Sequence, residues 1–348
     1  MGNCLRTSDK LTAEIVPHAG ATVYPAVRLH GSPNSIFAAY TRFAILHNAV
    51  SSDPTPAVVP PPPAPPRAAA RGGRSESVVP VVFHVGPEVA SGSRDALLRF
   101  IDLKFPDLAE EEEEVAAVSG GGKEEEETAS LVVRVTGLQH KSMTWHVERM
   151  VRWAEDLATR GGTRAVDPKV GTWKMEVVKF GRSYSQLLEV MLEHAQMEER
   201  VLFPIFDSAD RGLSKAAKEE HARDLPLMNG IKEIIKSVVV LDSRSPNYRE
   251  TLYNLSTRLK SLQGQCKQHF MQEELELLPI MEAVELSKDQ DESALEQCFD
   301  VMQGTHGRLL KFLLEGLPPN DAMKYLDLIS MCRDKERMES MLRMVVEY

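Results

Sequence analysis

Two stretches of this sequence repeat one arrangement of groups able to hold a cation. His194 is followed four residues later by Glu198, and His269 four residues later by Glu273. Residues four apart on an α-helix share a face, so each pair offers an imidazole nitrogen and a carboxylate to the same side. Both pairs interrupt an apolar stripe: Leu187, Met191, Val201 and Ile205 flank the first, and Leu259, Leu262, Cys266, Leu277 and Ile280 the second. A carboxylate left unpaired on an inward face costs on the order of several kcal/mol, so these pairs call for a counter-charge. Imidazole and carboxylate together suit iron, manganese or zinc. Two such carboxylates can bridge a pair of metal ions, with histidines completing each shell.

The elements that must carry these groups follow from the spacing. From Ser130 onward, apolar residues recur at three- and four-residue intervals. Breaks fall at Gly161–Gly162, near Asp210–Gly212, at Asp242–Pro246, near Asp289 and at Leu317–Pro319. This predicts four long antiparallel helices forming a four-helix bundle, then two shorter ones. His140 shares the first helix's stripe with Val133, Met143, Val147, Met150, Ala154 and Leu157, and His221 shares the third's with Ala217, Met228 and Ile235.

Ligands of one site must also lie at one depth. Counted from the shared end of the bundle, His140, His194, His221 and His269 lie 20, 21, 20 and 22 residues in. At about 1.5 Å per residue these levels agree within a turn. His146, on a partly apolar face with Met143, Met150 and Trp153, lies 14 residues in, about 9 Å out of level. The depth argument selects His140 over His146.

The rest of the chain is organised differently. Residues 1–22 read as a flexible tail. Residues 23–108 alternate strand and helix patterns (strands at Val23–Leu29 and Val78–Val85, helices at 36–48 and 94–104), interrupted at 51–77 by a Pro-rich insertion that can form no packed core. Residues 109–129 hold the acidic runs Glu110–Glu114 and Glu124–Glu127 and read as a solvated linker. The bundle is expected over 130–288 and further C-terminal helices over 289–348.

Composition excludes several classes. Of 348 residues, 43% are apolar and 26% charged, which suits a globular chain. The formal charge of -10 argues against a nucleic-acid binder. No run reaches the roughly 18 apolar residues of a membrane span. The four cysteines, Cys4, Cys266, Cys298 and Cys332, form no CxxC pair and no disulfide framework. An intracellular, cytoplasmic location is expected. Gly2 and Cys4 in Met1-Gly2-Asn3-Cys4 are candidates for myristoylation and palmitoylation, although Arg6 stands where the usual motif has Ser or Thr. Only such lipidation would bring the chain to a membrane.

The order His, His-x3-Glu, His, His-x3-Glu over four helices resembles the hemerythrin-like, or HHE cation-binding, domain. The flanks agree: His194-Ala-Gln-Met-Glu198-Glu-Arg-Val-Leu-Phe-Pro204 and His269-Phe-Met-Gln-Glu273-Glu-Leu-Glu-Leu-Leu-Pro279. The resemblance spans about residues 130–285, and the blend is similar to that of plant members. It implies a non-haem di-iron centre, two iron ions held by His140, His194, Glu198, His221, His269 and Glu273, with the glutamates bridging. It also implies dioxygen or another small diatomic as a partner. One departure matters: oxygen-carrying members have a second histidine on the third helix, where this chain has Leu225. An iron- or oxygen-responsive site is therefore expected rather than an oxygen carrier, with Glu199, Glu220 or Glu274 standing in for the missing ligand. The ferritin-like di-iron class, which needs Glu-x-x-His pairs, fits less well.

The N-terminal region resembles the thioredoxin-like domain of glutathione transferases through Val27–Ser35, Val79-Pro80-Val81 and Ser93–Pro106. In that family the proline is cis and lines the glutathione site. The Glu-Ser pair that holds glutathione there is Ser93-Arg94 here. The expected fold is therefore mainly α: a hemerythrin-like four-helix bundle with extra C-terminal helices, preceded by a small α/β thioredoxin-like module that docks a protein partner. The alternative function is a glutathione-dependent transferase or a di-iron oxidoreductase. His306 is expected to be a surface or packing histidine, Tyr184 and Trp173 core residues or neighbours of the site, and Cys266 a small core residue.

Overall fold

The structure is a computed structural model that describes residues 129–161, 172–284 and 286–346, together with the backbone of five short strands before residue 92. The chain divides into two compact units, one of Met1–Lys123 with Glu336–Tyr348, the other of Glu124–Lys335.

In the first unit, β1 (Thr12–Val16), β2 (Val27–His30), β3 (Ala57–Val59), β4 (Val82–Val85) and β5 (Glu88–Ser91) form one sheet in the order β3-β1-β2-β4-β5. Every pairing is antiparallel. The helical part of the α/β module expected here lies outside the described residues. The helices expected at 36–48 and 94–104, Pro80, the acidic linker up to residue 128, and Gly2 and Cys4 lie outside the described residues.

The second unit is helical. Its long elements are α1 (Leu131–Arg160), α2 (Trp173–Met197), α4 (Lys215–Val240) and α5 (Pro246–Gln272), with α3 (Phe203–Ala209) between α2 and α4. Gly161 ends α1 in the left-handed region (φ 56°) and returns its N–H to the Leu157 carbonyl, a position that favours glycine. Thr172 caps α2 by accepting the Met175 amide. Pro246 opens α5, where its missing N–H costs nothing.

Side-chain pairs fix the directions. Arg160 at the end of α1 bonds Glu176 at the start of α2, while His140 lies against His194. Lys267 and Lys260 of α5 pair with Glu148 and Glu155 of α1 in reverse order. Adjacent helices are thus antiparallel and close a ring α1-α2-α4-α5. Val147, Leu157, Phe180, Leu187, Ile231, Leu255 and Leu262 fill it. Most are fully buried, each worth about 1.5–3 kcal/mol of transfer from water.

Both α2 and α5 run straight into a π-helical turn, Glu198–Leu202 and Glu273–Leu277. In each, a proline follows six residues after the glutamate, Pro204 and Pro279. Proline has no amide to donate, and its ring crowds the carbonyl four residues back, so a regular ladder cannot continue through it. The wider turn closes instead through the amides of Phe203 and Leu278 on the Glu198 and Glu273 carbonyls. The sequence periodicity carries no sign of this widening.

After α6 (Ile280–Val284) come α7 (Lys288–Val301), α8 (Gln303–Arg308), α9 (Leu310–Glu315) and α10 (Pro319–Ser330); α11 (Lys335–Val346) belongs, from Glu336 on, to the first unit. The two shorter helices expected here are several, because Gly304, Gly307, Gly316 and Pro318 divide the apolar runs. Helices α7 to α10 clamp onto α1 and α2. Asp291 accepts from the Ser130 hydroxyl and the Leu131 amide (2.6 and 2.9 Å), and Glu193 accepts the Gly304 and Thr305 amides (3.0 and 2.7 Å). Ser142 donates to the Leu313 carbonyl (2.6 Å). Gly316 has to be glycine, since a Cβ there would lie 2.6 Å from the Ser142 hydroxyl and 2.7 Å from its carbonyl. Among the described residues no helix is long and apolar enough to cross a membrane.

Candidate metal centre

The structure brings His140, His194, Glu198, His221, His269 and Glu273 together at one level of the bundle. They form two overlapping groups whose ligand atoms all lie within 4.8 Å of one another: His140, His194, Glu198 and Glu273, and Glu198, His221, His269 and Glu273. Glu198 faces both. Its Oε1 lies 2.9 Å from His194 Nε2, and its Oε2 3.2 Å from His221 Nε2. Glu273 Oε2 sits between the groups, 3.5 Å from His140 Nε2 and 3.4 Å from His269 Nε2. Both glutamates are at most 3% exposed.

Within each group two imidazoles meet nitrogen to nitrogen. His140 Nε2 and His194 Nε2 are 3.2 Å apart, as are His221 Nε2 and His269 Nε2. Two nitrogens each about 2.0–2.1 Å from one ion would be separated by roughly 3.0–3.4 Å, so these spacings suit shared coordination.

The other ring nitrogens settle the tautomers. His140 Nδ1 donates to Glu274 (2.9 Å), His194 Nδ1 to Gln139 (2.7 Å), His221 Nδ1 to Glu199 (3.1 Å) and His269 Nδ1 to Glu220 (2.8 Å). Each acceptor holds the proton on Nδ1 and leaves the Nε2 lone pair pointing inward. Two facing lone pairs in a buried space repel unless a proton or a cation lies between them. Three carboxylate oxygens there, Glu198 Oε2 and both of Glu273, find no hydrogen-bond donor. The donor set thus fits metal ions.

Electrostatics agree. Burial opposes charge on all four histidines. In His140 and His221 the contacts with Glu198, joined by Glu274 and Glu199 respectively, outweigh it and the pKa rises; in His194 and His269 burial prevails and it falls. Burial and the neighbouring Glu198 push the Glu273 carboxyl up. Glu198 is held down against its own burial by His194, His140 and His221.

Glu199, Glu220 and Glu274, expected to replace a missing ligand, occupy this outer role instead. Each adjoins a central residue in sequence, so the next side chain round the helix reaches the neighbouring helix's imidazole. Gln139, the fourth, carried no sequence signal beyond its place before His140. His146 is elsewhere: it is buried, stacks on Phe312 (3.8 Å between ring centroids) and donates to the Phe312 carbonyl (2.7 Å). His306 is a packing histidine, 2% exposed. Tyr184 is buried and donates to the Met228 carbonyl, and Trp173 lies against Tyr248 at the far end of the bundle. A cavity of about 260 Å³ flanks the second group, lined by His221, His269, Cys266, Met228, Asp224 and Leu225. Leu225 is 40% exposed there.

Residues 131–281 match the family model described as the hemerythrin HHE cation binding domain. No curated protein and no solved structure matches the chain. The match implies cation binding by this segment, in keeping with the two His/Glu groups that could hold a metal.

Proposed function

We propose that the bundle binds two iron ions in a non-haem di-iron centre, and that the protein responds to iron or oxygen rather than carrying oxygen. The observation that supports this reading is the pair of facing Nε2···Nε2 contacts at 3.2 Å, with every Nδ1 held by an acceptor. His140 and His194 would hold one ion, His221 and His269 the other, and Glu198 and Glu273 would bridge. Bound iron would supply reversible one-electron chemistry and affinity for dioxygen or another small diatomic. The chain's own part is to fix the imidazoles, exclude water with the apolar residues around them, and offer a diatomic the cavity beside His221 and His269. Leu225 in place of a further imidazole leaves that side short of a ligand, which supports sensing over carriage. Titrating the metal-free chain with ferrous iron under anaerobic conditions should saturate at two equivalents; saturation at one would overturn the dinuclear reading.

The N-terminal region enters the proposal as a thioredoxin-like docking module for a protein partner, in a cytoplasmic protein with Gly2 and Cys4 as lipid acceptors. Retention on glutathione-agarose would replace docking by a glutathione-dependent activity, and mass spectrometry of the N-terminal peptide tests acylation.

A further inference from the structure

The two halves of the site are related by an approximate exchange of α1 with α4 and α2 with α5. Under it His140 corresponds to His221, Glu274 to Glu199, and Gln139 to Glu220. The last correspondence is unequal. Glu220 is a carboxylate, partly exposed and paired with Arg223. Gln139 is a neutral amide with no exposure at all.

An amide poses a problem that a carboxylate does not. Its two ends differ, and only the oxygen end can accept the His194 Nδ1 proton. Turned over, it would offer N–H to His194, move the imidazole proton to Nε2 and fill the lone pair that faces His140. Something must hold the NH2 end. Gln139 Nε2 donates to the Tyr325 hydroxyl oxygen (3.0 Å), and that oxygen lies 2.8 Å from His306 Nε2. His306 Nδ1 lies 2.9 Å from the Met302 carbonyl, which can only accept. So His306 carries its proton on Nδ1, its Nε2 takes the Tyr325 proton, and the tyrosine oxygen is left to accept from Gln139. The polarity of the row runs unbroken from the Met302 carbonyl to His194 Nε2. Gln139 and Tyr325 are fully buried, and His306 and His194 each only 2% exposed, so no water competes. Tyr325 lies on α10 and His306 on α8, both beyond the segment that matches the HHE family.

We propose that Tyr325, set by His306, is a positioning residue for the His140/His194 half of the centre, and that it couples metal retention in that half to the docking of α8 and α10. The inference rests on the metal-binding reading above. It makes the two halves unequal: Glu199 and Glu220 hold both imidazoles of one, whereas in the other Glu274 holds His140 and a neutral row reaching the C-terminal helices holds His194.

The test uses the full chain with zinc as a diamagnetic probe, titrated against a chromophoric chelator. The unaltered chain should bind two zinc ions. Tyr325→Phe keeps the ring and removes the hydroxyl that, among the described residues, holds the Gln139 NH2. It should leave one zinc unchanged and weaken the other roughly ten-fold, the low end of the loss seen when an outer partner of a metal-bound histidine is removed. Placed in His221→Ala, which leaves the His140/His194 half, Tyr325→Phe should still weaken zinc. Placed in His140→Ala it should not. Nitrogen-15 spectra of the histidines supply a readout that simple destabilisation would not move: the His194 signals should shift and those of His221 and His269 stay. Equal zinc affinity in both chains, or equal weakening of both sites, overturns the proposal. The unaltered zinc-loaded chain gives a check independent of the variant's folding, because His306 must show its proton on Nδ1; a proton on Nε2 overturns the proposal. No zinc binding by the unaltered chain overturns the metal reading itself, and this inference with it.

Discussion

Replacing His146 by Gln separates a structural histidine from a metal ligand. His146 is 3% exposed and donates Nε2–H to the Phe312 carbonyl at 2.7 Å. Burial, against a smaller opposing effect of that hydrogen bond and with help from Arg149, pushes its pKa from 6.5 down to about 3. The unfolded chain takes up a proton at this residue below 6.5, the folded chain only near 3. Between these values the unfolded state binds more protons, so stability falls as pH falls. The contribution is intact above 6.5 and is lost progressively down to about 3. At pH 5 the gap is 1.5 pH units, or about 2 kcal/mol at roughly 1.4 kcal/mol per unit. Gln places an amide near the same donor position and does not titrate. It loses the stacking on Phe312, but that loss does not depend on pH. Urea unfolding followed by circular dichroism at pH 7 and pH 5 should therefore show the gap between variant and parent moving by about 2 kcal/mol in the variant's favour. In melting temperature the same shift is roughly 4–8 °C. Other titrating groups cancel in the difference. Parallel pH profiles would refute the reasoning, and loss of metal in His146→Gln would show that the ligand had been misplaced on α1.

Other consequences are quick to check. Gly316→Ala drives a methyl group against Ser142 and should cost about 1–3 kcal/mol in thermal unfolding; an unchanged melting temperature would mean that α9 does not sit on α1 as described. Glu193→Ala frees the buried-side amides of Gly304 and Thr305 and should cost about 1–3 kcal/mol, with faster amide exchange confined to α8. Metal affinity should fall as pH is lowered, since a cation competes with protons for His140, His221 and Glu273, whose pKa values are all raised; proton release on zinc addition in weak buffer measures it directly. Cys266, Cys298 and Cys332 are buried, with burial pushing Cys266 up to about 12 and Cys298 higher still, so at most one of the four thiols should react with a disulfide reagent before unfolding.

The bundle and its central groups were legible because they obey periodicities. An apolar stripe interrupted by His-x3-Glu predicts which side chains turn inward, and equal depth selects His140 from His146. What periodicity cannot carry is the contact made sideways or from far along the chain. Gln139, Glu199, Glu220 and Glu274 sit off the stripe and look like solvated polar residues; their role depends on the neighbouring helix lying within reach. Tyr325 and His306 lie 186 and 167 positions from Gln139; Tyr325 meets it, and His306 meets Tyr325, only because α7 to α10 fold back over α1 and α2. The π-helical turns at Glu198 and Glu273 were equally hidden, though Pro204 and Pro279 are their cause.

The central claim is that Glu198 and Glu273, with the four histidines, bind metal. The most direct measurement is metal content by mass spectrometry of the full chain and of Glu198→Ala/Glu273→Ala, both purified from iron-supplemented cells. Close to two metal ions per parent chain, and almost none in the doubly substituted one, is the expected result. Equal metal content in the two proteins, or none in the parent, would contradict it.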